Sequence, residues 1–457
     1  MHICSRFCLS LLTCAFATCV PVSLLGHLSP TGGARAVAPE VAPGITCSPS
    51  PCRLPNIQVS NGSNTNTAPV NIAANSHNPQ QMIMGVSDGR CPASGGAYST
   101  NDGGVTWTRS CLPLLDPIDV DGVPSLFYDN QGVVHALTTL FNMDDGPVEV
   151  YETHSSDNGL TWSSLTLAVP EFGMAAPMDS AVVDNNPTSP FANAMYVSST
   201  QYGNSNGVHL TVSRSNDGGA TWQLAAVATM PKTLGIYSEG FSHLALGNDG
   251  ALYLSWMESP NGTFSSNKMK FAKSVDGGKT WSVPVQVYSA AAVNAIPNTS
   301  VFRGDSPVIA VDNSGGRFAG RLYITFYNWT GTFMQVLVTH SSDGGNSWST
   351  AVPVAPPSDT HDQFLPWISV GPTGRASVTW FDRRDDPANV KYRTYLALSK
   401  DGGVTWVNNI PVATVLSQPG FGLNFATNTW VGSTLYAVWA DTRKQGVLQI
   451  LLGGYVQ

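Results

Sequence analysis

An eight-residue pattern recurs six times along this chain of 457 residues and constrains its fold more than any other feature. Each copy begins with Ser or Thr, carries Asp at its third position and Gly at its fifth, and ends with Trp. The copies are Thr100–Trp107, Ser155–Trp162, Ser215–Trp222, Ser274–Trp281, Ser341–Trp348 and Ser399–Trp406. Because they recur every 55 to 67 residues, the chain is expected to stack one supersecondary unit on copies of itself.

The residue types within the octapeptide predict a tight hairpin turn. Its Asp accepts hydrogen bonds from N–H groups of its own turn, its Gly adopts a positive φ without a steric clash, and its Trp begins the next strand. A carboxylate used in this way is committed to the turn. We therefore expect these six aspartates to be structural rather than catalytic.

The octapeptide resembles the Asp-box of bacterial-neuraminidase-repeat proteins, a superfamily that contains sialidases and other β-propellers. The resemblance rests on six copies in register and covers the scaffold from roughly Val70 to the end of the chain. It implies an all-β propeller, and it favours a protein that acts on glycans.

The composition agrees with many short strands joined by turns. Charged residues make up only 11% of the chain, which contains 44 Gly and 31 Pro, so little helix is expected. The formal net charge is -8, and no run of Lys or Arg is present. The chain is therefore not expected to bind nucleic acid.

The N-terminal segment has the features of a signal peptide. Arg6 precedes an apolar stretch that runs from Phe7 to about Leu25, and Ala34-Arg35-Ala36 offers a cleavage site, with Ala15-Phe16-Ala17 as an alternative. We expect a signal peptide over residues 1–36, an N-terminal extension over 37–55 and one propeller domain over 56–457. The mature protein is then a secreted, extracellular or periplasmic monomer without a membrane span; a membrane anchor at the N-terminus is the alternative.

Four cysteines follow this leader, an even number that suits an oxidising compartment. Cys91 and Cys111 bracket the first octapeptide, which predicts a disulfide between them, and a Cys47–Cys52 disulfide would close a small loop. Metal binding by these cysteines is the alternative.

A second repeat, of two apolar strands around a polar turn, occurs seven times and therefore predicts seven blades. The seventh unit ends with the strand Val447–Leu452 and has no octapeptide after it. We expect the N-terminal segment Asn56–Val59 to supply its missing outer strand, which closes the ring and removes exposed sheet edges. A six-bladed propeller, the sialidase number, is the alternative.

The position of the octapeptides predicts which face carries a site. Each joins the third strand of a blade to the fourth, so these turns share one face with the first-to-second turns. The second-to-third loops and the crossings between blades share the opposite face. Charged residues that are not turn formers collect there, which places the expected site on that face.

Four residues on this face are predicted to be catalytic: Asp88, Asp179, Tyr237 and Glu239. The segment around Glu239 resembles the Ser-Glu segment that in sialidases carries the glutamate partner of the nucleophile, and Asp88-Gly89-Arg90 resembles the stretch after a sialidase's first unit. Six further residues are predicted to bind substrate, chiefly through Arg recognition of carboxylates: Arg90, Arg303, Asp305, Asp362, Arg383 and Arg443. Salt bridges between blades are the alternative role for the Arg and Asp neighbours.

No cofactor and no metal-binding residues are expected, since the histidines, including His154, His243, His340 and His361, show no zinc spacing. The segment from Asp116 to Gly122 has enough acidic side chains to consider Ca²⁺, but it lacks a complete twelve-residue calcium loop, and an ordinary acidic loop is the preferred interpretation.

Taken together, the motifs favour an exo-sialidase-like glycoside hydrolase whose ligand is a glycan or a polysaccharide. Two departures count against a sialidase: Trp256-Met257-Glu258 stands where the second Arg is expected, and no Tyr enters the last blade as a nucleophile. A non-catalytic propeller that binds glycan or protein is the alternative. A polysaccharide lyase is a third possibility.

Overall fold

The computed structural model is a seven-bladed β-propeller, as the seven strand units predict. It describes residues 44–60, 67–116, 119–121, 124–142, 148–170, 178–202, 208–230, 242–259, 266–291, 293, 297–298, 307–418, 426–443 and 447–457. Every strand pair in it is antiparallel, and each blade is one sheet. Within the described residues there is no helix that could span a bilayer.

The blades follow one another in chain order. Blade one contains β2 (Thr67–Ala74), β3 (Met82–Asp88), β4 (Gly95–Thr100) and β5 (Thr108–Cys111). Blade two contains β6 (Asp119–Asp121), β7 (Ser125–Tyr128), β8 (Val134–Asn142), β9 (Val148–Ser155) and β10 (Thr166–Val169). Blade three contains β11 (Met178–Val183), β12 (Met195–Tyr202), β13 (Val208–Ser215) and β14 (Gln223–Met230). Blade four contains β15 (His243–Leu246), β16 (Leu252–Glu258), β17 (Ser266–Ser274) and β18 (Val285–Ala291).

The remaining three blades complete the ring. Blade five contains β19 (Val308–Val311), β20 (Leu322–Trp329), β21 (Met334–Ser341) and β22 (Val352–Pro353). Blade six contains β23 (Gln363–Val370), β24 (Ala376–Asp382), β25 (Arg393–Ser399) and β26 (Val407–Pro411). Blade seven contains β27 (Thr427–Val431), β28 (Thr434–Asp441), β29 (Gln449–Val456) and, as its outer strand, β1 (Cys52–Gln58).

The ring closes because both ends of the propeller share blade seven. β1 pairs with β29, and the innermost strand of blade one contacts that of blade seven. The closing strand begins at Cys52, four residues before the predicted start at Asn56. A register shift between Leu54 and Ile57 interrupts the alternation of buried and exposed residues along the strand. The sequence pattern therefore does not indicate the first half of this strand.

The octapeptide turns have the hydrogen bonds that their sequence predicts. In blade two, Asp157 Oδ1 accepts the backbone N–H of Thr161 at 2.9 Å, and its Oδ2 accepts the Thr161 hydroxyl at 2.6 Å. The Ser155 hydroxyl donates to the same carboxylate and accepts the N–H of Gly159 at 2.8 Å. The bond from the first residue's hydroxyl oxygen to the fifth residue's N–H occurs in all six copies.

The same turns pack one blade onto the preceding one. A Cβ added at Gly345, the fifth residue of the copy in blade five, would lie 2.1 Å from the Phe271 ring of blade four. Trp348 of that copy packs against the same ring at 5.2 Å between centroids. The fifth position therefore needs Gly for close approach as well as for its positive φ of 84°.

The core lies between neighbouring sheets. Its largest fully buried side chains include Trp256, Trp380 and Trp439, one on the second strand of blades four, six and seven. Two disulfides, Cys47–Cys52 and Cys91–Cys111, join the predicted cysteine pairs. These disulfides are consistent with an extracellular protein.

Two faces follow from this topology, and we name them for what they carry. The turn face carries the octapeptides and the first-to-second turns. The loop face carries the second-to-third loops and the crossings between blades, and the innermost strands start there. The predicted site residues that the structure describes, Asp88, Arg90, Asp179, Asp362, Arg383 and Arg443, thus belong to the loop face.

Replacing Asn56 with Ala is expected to destabilise the propeller at its closure. The Asn56 side chain donates to Val412 O at 2.8 Å and accepts the N–H of Thr414 at 2.8 Å, which joins the closing strand to blade six. Losing these bonds, and the one that the Thr414 hydroxyl donates to Asn56 Oδ1 at 2.9 Å, should lower the free energy of unfolding by about 1 to 3 kcal/mol, measured by denaturant titration. Gln58→Ala is the control, because its amide donates to Ser60 O, two residues away in the same segment, and an equal loss in both variants would contradict this role.

The octapeptide carboxylates should make the fold sensitive to acid. Hydrogen bonds from hydroxyl and N–H groups of the turn lower the pKa of Asp157 and of Asp343 to about 2. Because these values lie below the unfolded value of about 3.9, the stabilisation is present above pH 4 and lost as the pH falls toward 2. Melting temperatures should therefore drop between pH 4 and 2, and the drop should be smaller in Asp157→Asn; an unchanged drop would refute the contribution of this turn.

Candidate functional site

Two aromatic rings from innermost strands contact each other halfway along the blades. His243 begins the innermost strand of blade four, and Trp367 lies in that of blade six; their ring centroids are 5.1 Å apart in an edge-on contact. Burial lowers the pKa of His243 to about 4, so its imidazole is neutral at physiological pH. We refer to these two rings, on the innermost strands of blades four and six, as the channel floor.

Asp179 stands beside this floor, near the start of β11. Its Oδ2 accepts the Thr200 hydroxyl at 2.7 Å and the Ser242 hydroxyl at 2.8 Å, and Ser242 directly precedes His243. Burial raises the pKa of Asp179 to about 6, because desolvation of the carboxylate outweighs these hydrogen bonds. A carboxyl group with this pKa exchanges a proton near neutral pH, which suits general acid or base catalysis.

Four predicted site residues lie outside the described residues: Tyr237, Glu239, Arg303 and Asp305. Their roles stay predictions. In the sequence, Glu239 precedes Ser242 by three residues, and Ser242 is a hydrogen-bond partner of Asp179.

Asp88 and Arg90 form a closed pair at the end of the second strand of blade one. Arg90 donates from its backbone N–H and from Nε to Asp88 Oδ1, both at 2.9 Å, and from Nη2 to Oδ2 at 2.7 Å. Tyr98 donates to the same carboxylate at 3.1 Å. Burial alone would raise the pKa of Asp88, but the bonds from Arg90 outweigh it and hold the pKa below its usual value. The ionised carboxylate is thus already matched by its own arginine.

Blade seven repeats this arrangement with Asp441 and Arg443. Nε and Nη2 of Arg443 donate to the two carboxylate oxygens at 2.7 and 2.8 Å, and the Trp439 ring N–H donates to Oδ2 at 3.1 Å. Asp441 is fully buried, and 24% of the Arg443 side chain is exposed. One edge of the guanidinium is therefore committed to Asp441 before any ligand binds.

Blade six contains a third such pair, which the site prediction did not include. Arg384 donates from Nε to Asp382 Oδ1 at 2.9 Å, and Nε also lies 3.0 Å from Asp359 Oδ2. The sequence signal is an Asp-x-Arg triplet at the end of a second strand, often two residues after a Trp. It is visible at Trp380-Phe381-Asp382-Arg383-Arg384 once the three blades are aligned.

Arg383 and Asp362 form a buried ion pair inside blade six. Arg383 Nη1 lies 2.9 Å from Asp362 Oδ2, and both side chains are at most 1% exposed. Asp362 also accepts the N–H of Met334 from blade five at 2.9 Å, so it holds two blades together. The surrounding protein covers the Arg383 guanidinium. A ligand would contact it only after a rearrangement of the blade.

The calcium interpretation also stays a prediction, because residues 117–118 and 122–123 lie outside the described residues. Among the described residues, one group of metal-ligating side chains comes together, His135, Glu152 and His154 on the turn face. It lies at the opposite end of the blades from Asp179.

Asp88→Asn should destabilise the protein because Arg90 loses its partner. A fully buried pair costs about 3 to 5 kcal/mol to break, and since the Arg90 side chain is 28% exposed we expect about 2 kcal/mol. Denaturant unfolding of Asp88→Asn, Arg90→Gln and the double variant forms a mutant cycle. Additive effects in that cycle would show that the pair does not act as a unit.

No protein-family model matches this sequence, and no curated protein matches it. Among solved structures, an ulvan lyase bound to a sulfated glucuronosyl-rhamnose ligand is similar at 12% identity and a TM-score of 0.54, over 87% of this chain and 95% of that one. A protein of unknown function from Dyadobacter fermentans matches at 11% identity and 0.48, over 73% and 93%. An intramolecular trans-sialidase from Ruminococcus gnavus in complex with oseltamivir carboxylate matches at 14% and 0.46, over 68% and 88%. What this chain shares with the first of these is its propeller fold.

Proposed function

We propose that the protein is an exported glycoside hydrolase that cleaves glycans at the loop-face mouth of its channel, with Asp179 as the proton donor. The observation that supports this proposal is the Asp179 carboxyl group, held by Thr200 and Ser242 beside the channel floor with a pKa of about 6. A general acid needs a pKa near the working pH, and a freely solvated Asp does not have one.

Glycoside cleavage needs a second group besides the acid. The acid protonates the leaving oxygen, while a second carboxylate attacks the sugar or activates a water molecule. We assign that role to Glu239, which is three residues from the Asp179 partner Ser242 in the chain, with Tyr237 as its neighbour. The separation of the two carboxylates decides between retention and inversion of configuration.

The substrate class proposed first is a sialylated glycan, in line with the Asp-box resemblance. Release of sialic acid requires arginines that bind the sugar carboxylate. Arg90 and Arg443 already bind Asp88 and Asp441, so they would contact such a ligand only through their remaining N–H groups. Neutral and other acidic glycans therefore belong in the same assay as sialosides.

A non-catalytic glycan-binding propeller is the second candidate, and the closed pairs favour it. All three Asp-x-Arg pairs are satisfied internally. Such pairs give a rigid, charged rim, which suits binding without chemistry. A polysaccharide lyase is the third candidate, because the similar ulvan lyase is described as one. Its reaction, β-elimination, should therefore be monitored beside hydrolysis and binding.

Asp179→Asn should lower kcat/KM for glycan hydrolysis by about 100-fold or more, because the proton donor is lost. Asp179 must be protonated to act as an acid, so activity of the parent protein should fall as the pH rises through about 6. Asp184→Asn is the matched control: this buried carboxyl follows the same strand at its turn-face end and accepts the Ser189 hydroxyl. Glu239→Gln should likewise lose activity.

The assay separates the three functions. Purified protein is incubated with fluorogenic sialosides and a panel of neutral and acidic polysaccharides, and sugar release, unsaturated ends and binding are recorded. Unsaturated ends would replace the hydrolase with a lyase. Binding without any product would establish the binding propeller, and equal activity of Asp179→Asn and the parent would overturn the role of Asp179.

A further inference from the structure

We propose that blade two carries a zinc-type divalent metal site on the turn face, formed by His135, Glu152 and His154. This inference is independent of the proposed glycan site on the other face. Glu152 Oε1 lies 2.8 Å from His135 Nδ1 and 3.4 Å from His154 Nδ1, and one ligand atom from each of the three residues lies within 4.8 Å of the others. Ligands about 2.1 Å from a tetrahedral ion are about 3.4 Å apart, so the three atoms converge at metal-binding range.

Glu152 departs from the repeat at a position that is otherwise apolar. It is the third residue before the octapeptide, and the equivalent buried residues of the other copies are Ala97, Val212, Phe271, Val338 and Leu396. A carboxylate that is 1% exposed among such neighbours is unfavourable unless it is paired or binds a cation. The scaffold does not require this charge, because five other copies fold without it.

The two histidines depart from the repeat in the same blade. His135 and His154 face each other across β8 and β9, and their ring centroids are 5.8 Å apart. The pairs at the same register in blades three, four and five have Tyr at the His135 position: Tyr196 with Arg214, Tyr253 with Lys273, and Tyr323 with His340. Only blade two combines three potential ligands at these positions among the described residues.

Neighbouring groups orient the three ligands. Asp129 Oδ2 lies 3.6 Å from His135 Nε2, while Asp129 Oδ1 is fixed by the N–H groups of Gln131 and Val133 at 2.9 and 2.8 Å. A carboxylate on the far nitrogen of a ligating imidazole is the usual outer partner in metal sites. Gly219 of the blade-three octapeptide makes room for the cluster, since a Cβ there would lie 2.7 Å from the Glu152 carboxyl carbon.

The cluster opens into a cleft of about 480 Å³ between blades two and three. His135, His154, Asp129 and the octapeptide residue Asp217 line this cleft. The His154 side chain is 46% exposed, which gives an ion a path from solvent to the buried Glu152. Two imidazoles and one carboxylate are a set that Zn²⁺ binds while keeping a fourth position open, here toward the cleft.

Zinc uptake by the chelator-treated, folded protein tests the site. We expect one zinc ion per chain by calorimetry, a higher melting temperature with zinc, and a visible absorption band when Co²⁺ replaces it. Glu152→Val and His154→Ser place in blade two the residue types found at the same positions in blades three and one, so both variants should fold. Each should bind zinc about 100-fold or more weakly.

His340→Ser is the matched control. His340 occupies the register of His154 in blade five and has the same Ser contact, 3.1 Å from Ser349 Oγ compared with 3.2 Å from Ser163 Oγ for His154, but has Val338 where blade two has Glu152. Zinc binding should be unchanged in this variant. No uptake by the parent protein, or equal losses in His340→Ser and His154→Ser, would overturn the proposal. Since metal uptake is measured without any glycan, failure here leaves the proposed hydrolase untouched.

Discussion

The self-capping octapeptide turn is the interaction on which the rest of the structure depends. Its Asp and its first hydroxyl satisfy N–H groups inside the turn, as Asp157 and Ser155 do in blade two. The N–H groups of the fifth and seventh residues are therefore satisfied within the turn, and the fifth-position Gly lies against the neighbouring blade. Each turn thus contributes twice: it ends one hairpin, and it sets the distance to the preceding sheet. Closure through β1 then completes blade seven and joins the two ends of the propeller in one sheet.

Charge is handled in this protein by local pairing. Carboxylates at the ends of second strands bind an arginine two residues later, and a neighbouring Tyr or Trp often completes the arrangement. Such pairs avoid the cost of an isolated buried charge and tie each loop to its own blade. Two carboxylates do not follow this pattern of pairing with an arginine. Within the part of the chain that the structure describes, Asp179 has hydroxyl and N–H partners but no arginine, and Glu152 lies beside two histidines. These two carboxylates, at opposite ends of the blades, carry the chemistry that we propose.

The candidate site could be anticipated only in part. The choice of the loop face follows from antiparallel pairing, and Asp179 was among the residues so placed. The sequence does not distinguish Asp179 from Asp88, since both are acidic residues at that face. Among the described residues, what separates them is an arginine at hydrogen-bonding distance from Asp88, whereas Asp179 accepts from Thr200 and Ser242. His243 was visible as a histidine, but its contact with Trp367 joins strands more than 120 residues apart in the chain.

The sequence by itself determined the blade number, the turn chemistry, both disulfides and the identity of the closing segment. These are local or periodic features, in which hydrogen bonds and side-chain alternation act within a few residues. Only the tertiary structure decided which arginines bind their own carboxylates and which hydroxyl groups hold Asp179. It also decided that the side chains of His135, Glu152 and His154 meet. Those outcomes depend on distances between strands and blades, which a spacing along the chain does not encode.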